Sequence, residues 1–369
     1  MTDAPLRETP LAAAHAALGA RFTPFAGWRM PLQYGSVLEE HRAVRASAGL
    51  FDLSHMGELW VTGPGAGDAL AYALLTDPRR LADGRAQYTL LLNDAGGVLD
   101  DLIVYRLDAE RWLVVANAAN ADRVAAELAA RAVGHDALVD DAGGRTALIA
   151  VQGPRAAAIV AAACVPDPAA LRYYAITAGQ VAGHAAWVMR TGYTGEDGFE
   201  IAVDWDAAPA VWDALLAAGR PHGLVPCGLA ARDTLRLEAA MPLYGQELDA
   251  TTTPFEAGLG RLVKRDKPGD YVGRAALEAP GADAPARRLV GLRLAGRGIA
   301  RPGYAVCRRG GEACGLVTSG TMSPTLNQAI GLAYVPAEVS APGSRLEVRI
   351  RDQAVAADVV STPFHRRPA

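Results

Sequence analysis

Two adjacent carboxylates, Asp100 and Asp101, interrupt the run GGVLDDLIVYRL at residues 96–107. Side chains alternate across a strand, so Leu99, Asp101, Ile103 and Tyr105 share one face, and Val98, Asp100, Leu102 and Val104 the other. Both faces are otherwise apolar, the pattern of a strand covered on both sides. A carboxylate in such surroundings is costly unless it is paired or keeps its proton. One of the two acids escapes to water at the strand's start, as a turn aspartate after Gly96-Gly97 would. The other faces an interior or a cleft.

Other stretches carry chemistry-bearing residues of their own. TGYTGEDGFE (191–200) repeats glycine at spacing three, which lets a backbone approach a ligand closely. It is not GxGxxG, opens no helix and lacks a GK[ST] ending, so it is no phosphate cradle; a plain glycine-rich hairpin is the alternative. Tyr193, a phenol able to stack, and Glu200, a carboxylate, are its interesting members. In GLAARDTLRLEA (228–239), Arg232 and Arg236 stand at i,i+4 on one helical face. They either join surface ion pairs with Asp233 and Glu238 or form a fork for a carboxylate. FDLSHMGE (51–58) holds His55 among small and apolar residues, with no Ser-His-Asp logic around Ser54 and no G-x-S-x-G elbow in the chain. Met56 fills core or lines an apolar pocket. Tyr88 in RAQYTLLLN (85–93) and Asn117 in VVANAAN (114–120) flank the acidic segment and could wall the Asp101 face.

The elements that must position these residues mix irregularly. Strands are predicted at 58–63, 87–93, around Asp101, and at 111–118, 146–153, 181–191 and 199–203. Helices are predicted at 36–47, 65–75, 120–133, 154–164, 206–219 and 228–240, the fourth opened by Pro154 after Gly153. This order suggests α+β and not a clean βαβ alternation. After residue 277 the texture changes. EAPGADAPARR (278–288) reads as a linker, and beyond it come only short strands with turns: LVGLRL, YAVCR, EACGLVTSG, AIGLAYV, RLEVRI and AVAADVV. That is a small all-β barrel or sandwich. The expected division is 1–277, large enough to split into two lobes, and 284–365.

Bulk properties exclude several classes. With 51% hydrophobic and 21% charged residues over 369 positions, a large packed core is expected. A net charge of −4 gives no broad basic field for nucleic acid, so an anionic ligand must be met by locally placed arginines. Cys164, Cys227, Cys307 and Cys314 are scattered without zinc spacing, which predicts reduced thiols and no metal site. No run of ~18 apolar residues predicts a membrane span. The N-terminus does not read as a signal or transit peptide, so a cytoplasmic protein is expected.

Taken together, FAGWRMPLQYGS (25–36), FDLSHMGE, GGVLDDLIVY, NAAN, RTGYTGEDGFE, GLAARDTLRLEA, MPLYGQELD (241–249) and SGTMSPTL (319–326) stand in an order that resembles the T proteins of the glycine cleavage system, from about residue 5 to 365. The resemblance implies a three-lobed cloverleaf around a central folate channel: two interleaved α+β lobes plus a C-terminal β barrel. It implies an aminomethyltransferase that takes an aminomethyl group from the lipoyl arm of an H protein, passes its methylene to tetrahydrofolate and releases ammonia. By motif position, Asp101 would approach the reacting pterin nitrogens as the catalytic carboxylate. Glu200 and Tyr193 would contact the pterin, Arg232 would answer the glutamyl carboxylate side, and Tyr88, Met56 and Asn117 would line the pocket. Tetrahydrofolate is a cosubstrate, and no step calls for a metal or a protein nucleophile. The tail, STPFHRRPA, departs from the tyrosine-bearing ends of some members, which leaves His365 and Arg366 without an assigned role. Two other readings remain: a folate-dependent demethylase of a small methylated substrate, and a non-catalytic folate-binding iron–sulfur maintenance factor. The latter carries a Lys-Gly-Cys-Tyr-x-Gly-Gln signature, and MPLYGQE here has no cysteine.

Overall fold

The computed structural model describes residues 5–351 and 353–367. Contacts divide the chain into two compact units. Unit 1 takes the chain up to Ala73, then Asp77–Thr89 and Leu102–Arg232; unit 2 takes Leu74–Thr76, Leu90–Asp101 and everything from Asp233 onward.

Unit 1 is built on two large sheets, with the two-stranded hairpin Arg21–Phe25 and Trp28–Gln33 beside them in the chain. A seven-stranded sheet runs in the order Cys164–Val165, Ile176–Val181, His184–Met189, Gly198–Asp204, Thr146–Gln152, Gly49–Asp52, Val225–Pro226. Its long inner strands Thr146–Gln152 and Gly198–Asp204 are apolar apart from Glu200, Gln152 and the polar ends Thr146 and Asp204, and helices Ala156–Ala161 and Ala208–Gly219 contribute to the same core; Phe199, Ile149, Ile201, Trp212 and Leu215 are fully buried there. Burying each of the largest of these side chains is worth roughly 1.5–3 kcal/mol. The second sheet has the order Arg85–Leu92, Val98–Arg106, Arg111–Ala116, Gly57–Thr62, Leu138–Asp141. Its first two strands run on into unit 2 at their Leu90–Leu92 and Val98–Asp101 ends. Within unit 1, Trp60 of the second sheet lies against Trp187 of the first, ring centroids 5.9 Å apart.

Helix Val37–Ala46 shows how local sequence sets a boundary. Ser36 precedes it in extended conformation, Glu39 and Glu40 fall in the first turn and Arg45 in the last, matching the helix dipole. Buried Glu40 accepts from the amides of Tyr34 (2.7 Å), Gly35 (3.2 Å) and Gly228 (2.9 Å).

In unit 2 the six predicted short strands close into a barrel: Arg287–Leu294, Gln328–Pro336, Ala313–Ser323, Ala305–Cys307, Arg345–Ile350 and Gln353–Val360, the last pairing back on the first. Alternation does the sorting. Val290, Leu292 and Leu294, with Leu346, Val348, Val355, Ala357 and Val359, fill the interior, while Arg293, Arg345 and Asp358 are exposed. The expectation of an α+β chain ending in a β barrel is met. Among the described residues no helix is long and apolar enough to cross a membrane.

Two predicted elements differ. The segment 181–191, read as one strand, is half of a hairpin, Ile176–Val181 and His184–Met189, turning at Ala182-Gly183. Helix 154–164 is only Ala156–Ala161, and Cys164–Val165 joins the sheet instead.

Candidate functional site

The strand Val98–Arg106 carries both aspartates. Val98, Asp100, Leu102 and Val104 are buried; Leu99, Asp101 and Ile103 are half-buried. The strand is therefore covered on one face and partly open on the other, not covered on both. Asp100 is the carboxylate sealed in, and Asp101 is the accessible one. Both belong to unit 2's share of the strand.

In unit 1, a cluster forms around Glu200, the third residue of strand Gly198–Asp204. Glu200 is 8% exposed. The Tyr105 hydroxyl lies 2.8 Å from Thr191 Oγ1, which in turn donates to Glu200 Oε2 at 2.5 Å. Burial and the nearby Glu200 charge hold the Tyr105 phenol well above its ordinary range, so it stays a donor. Burial raises the Glu200 carboxyl as well, against the pull of the Thr191 hydrogen bond, the Arg232 charge and the Tyr105 hydroxyl.

Arg232 comes from helix Leu229–Glu238. Its guanidinium stacks on the Tyr193 ring, 4.7 Å from the centroid. Burial lowers its hold on its proton and the Glu200 charge restores part of it. Arg232 is half-buried, and among the described residues its guanidinium has no hydrogen-bond or ion-pair partner. Five N–H donors in a partly desolvated setting are thus left for a ligand. His55, 3% exposed, stands beside this charge, its Nδ1 without a hydrogen-bond partner among the described residues. Burial, and secondarily Arg232, push it down to about 4, so it is neutral near pH 7; the Asp52 carboxylate opposes the shift.

Arg236, the other half of the proposed fork, has a different fate. Its guanidinium is 2% exposed and fully engaged inside unit 2: Nη1 to Glu247 Oε2 (2.9 Å), Nη2 to Ser319 Oγ (2.7 Å) and Nε to Asp233 Oδ1 (2.8 Å). Nor is Glu238 a surface ion-pair partner; it is buried and accepts from Ser323 Oγ, Thr325 N and Thr325 Oγ1. The fork does not form, because Arg236 is spent on structure.

The structure brings Tyr193, Glu200 and Arg232 into one cluster in unit 1. Met56, Tyr88 and Asn117 are half-buried in the same unit, on the turn after strand Gly49–Asp52, on strand Arg85–Leu92 and just past strand Arg111–Ala116. In the tail, the His365 amide donates to Glu238 O and Arg366 is exposed. Sequence reasoning left out Tyr105 and Thr191. The two-residue alternation had already put Tyr105 on the Asp101 face, and that was the available signal.

Residues 11–267 match the GCVT N-terminal domain, and residues 287–365 the glycine cleavage T-protein C-terminal barrel domain. The chain belongs to the glycine cleavage T-protein family. It is 54% identical over 363 residues to an aminomethyltransferase of Saccharopolyspora erythraea, covering 98% of this chain and 99% of that one. It is 55% identical over 365 residues to one of Streptomyces avermitilis, covering 98% of each. The crystal structure of glycine cleavage system aminomethyltransferase T from Bartonella henselae superposes with a TM-score of 0.93 at 39% identity, over 98% of this chain and 99% of that one. The chain is an enzyme, an aminomethyltransferase.

Proposed function

We propose that this aminomethyltransferase takes its aminomethyl group from the lipoyl arm of H protein, passes the methylene to tetrahydrofolate and releases ammonia, leaving 5,10-methylenetetrahydrofolate and the dihydrolipoyl carrier. One observation carries the reading: in unit 1 an arginine whose guanidinium has no hydrogen-bond or ion-pair partner among the described residues stacks on Tyr193 beside the buried carboxylate of Glu200. A reduced pteridine has an amino group and ring N–H donors for Glu200 and a flat face for Tyr193. The folate's acceptor groups, on the glutamyl carboxylate side, take the donors of Arg232. Met56, Tyr88 and Asn117 line the pocket.

Asp101 acts at the reacting nitrogens. Nitrogen-5 of the pterin must attack an electrophilic carbon while positive charge develops and a proton leaves. A fixed carboxylate steadies that charge and positions the nucleophile. Its half-buried position supports this role better than the sealed Asp100 would.

The test supplies tetrahydrofolate with aminomethylated lipoyl carrier and follows ammonia. Wild type turns over; Asp101→Asn loses ~10²–10⁴ in rate with an unchanged thermal midpoint. Silence with the carrier but turnover of free methylated amines would establish the demethylase reading instead. Full activity in Asp101→Asn would remove Asp101 from the chemistry.

A further inference from the structure

We propose that Gln152 is a positioning residue for folate binding: its side-chain amide clamps both ends of the segment that presents Tyr193. The clamp rests on the folate reading above; its geometry does not. Gln152 is the last residue of strand Thr146–Gln152, paired on one side with Gly198 and on the other with Gly49, and is 1% exposed. Its backbone is therefore fixed in the middle of the seven-stranded sheet. Nε2 donates to Thr191 O at 3.0 Å, and Oε1 accepts from Thr194 Oγ1 at 2.9 Å. Between those anchors lie only Gly192 and Tyr193, the residue stacked on Arg232. The residue held at the first anchor, Thr191, is also the one whose hydroxyl donates to Glu200.

The glycines of the loop follow from this clamp. A Cβ on Gly192 would overlap Gln152 Oε1, and one on Gly198 would overlap Nε2. Two of the three glycines thus exist to admit a protein amide and not a ligand. Gly195, at φ +81°, supplies the turn. Arg45 completes the brace from the helix side, donating to Thr194 O (2.7 Å) and to Glu196 Oε1 (2.8 Å).

The clamp demands one donor and one acceptor at fixed places. Leucine supplies neither. A glutamate accepts from Thr194 but sets a second oxygen against Thr191 O, unless it is protonated; the neutral acid then restores both bonds. This gives a signature that a merely structural role lacks.

The test compares wild type, Gln152→Leu and Gln152→Glu by KM for tetrahydrofolate at about pH 5 and about pH 8, and by amide hydrogen exchange of residues 191–198 without folate. Gln152→Leu should raise KM about tenfold at both pH values and speed exchange by a similar factor, since two buried polar groups lose their partner. Gln152→Glu should match wild type within about threefold at acid pH and match Gln152→Leu at alkaline pH. Equal KM and equal exchange in all three proteins would overturn the clamp, as would a Gln152→Glu defect of the same size at both pH values. If Gln152→Leu does not fold, the pH dependence of Gln152→Glu decides alone. If wild type takes no tetrahydrofolate, the folate reading falls and the exchange measurement still judges the clamp.

Discussion

Arg232 and Arg236 sit one turn apart on the same helix, and their surroundings have opposite character. Arg236 is ringed by Glu247, Ser319 and Asp233, with a further contact to Met241 O. Arg232 stacks on Tyr193 with no hydrogen-bond partner among the described residues. A buried polar network whose donors are met rigidifies a fold. One left with spare donors stores binding capacity, and the protein tolerates its cost for that reason. Beside Arg232, His55 Nδ1 is likewise buried without a hydrogen-bond partner among the described residues. Function is legible here as unspent polarity.

The sharpest way to break the contrast is to remove Arg236. Arg236→Met leaves Glu247 uncompensated in a buried site and should cost about 3–5 kcal/mol of stability, read by denaturant unfolding, with tetrahydrofolate affinity of the folded protein unchanged. Adding Glu247→Leu should recover part of that loss. Glu200→Gln should do the reverse: folate affinity falls roughly 10–100-fold by titration as a charged acceptor is lost, while the thermal midpoint holds or rises.

The smallest effects are in pH dependence. His55 is pushed down to about 4 from 6.5, so the unfolded chain binds its proton first. The stability this confers is complete above about pH 6.5 and is lost as pH falls through about 4. Glu58 is displaced the other way, held well above its ordinary value chiefly by burial. Its contribution is complete below the unfolded value and is lost as pH rises through the folded one. Glu58→Gln should therefore gain about 1 kcal/mol over wild type at alkaline pH and nothing at acid pH, measured as paired thermal melts.

Much of this fold was legible in the residue pattern. Short strands with strict alternation, such as AVAADVV and RLEVRI, became barrel strands because inside and outside differ at every step. Both hairpins that escaped, Arg21–Phe25 with Trp28–Gln33 and Ile176–Val181 with His184–Met189, turn on Ala-Gly. In each the alanine and the glycine both have positive φ: Ala26 at 48° and Gly27 at 80°, Ala182 at 53° and Gly183 at 82°. Such turns favour Asn-Gly or Asp-Gly, so an alanine in that place hides the signal among apolar neighbours. Tyr193, Glu200 and Arg232 were visible because their types stand out in their local runs. Thr191 and Gln152 were not, since a threonine before a glycine and a glutamine at a strand end acquire meaning only when the sheet brings them together. The i,i+4 spacing of the arginines was read correctly as geometry, but helical periodicity cannot say which arginine the tertiary fold will consume.

The measurement that bears most directly on the unspent-polarity account is tetrahydrofolate binding to wild type and to Arg232→Met, with thermal melts of both. The account predicts saturable binding by wild type, binding at least about tenfold weaker in the variant, and melting midpoints that coincide. Equal affinity in the two proteins, or a variant that loses its fold as Arg236→Met is expected to, would contradict it.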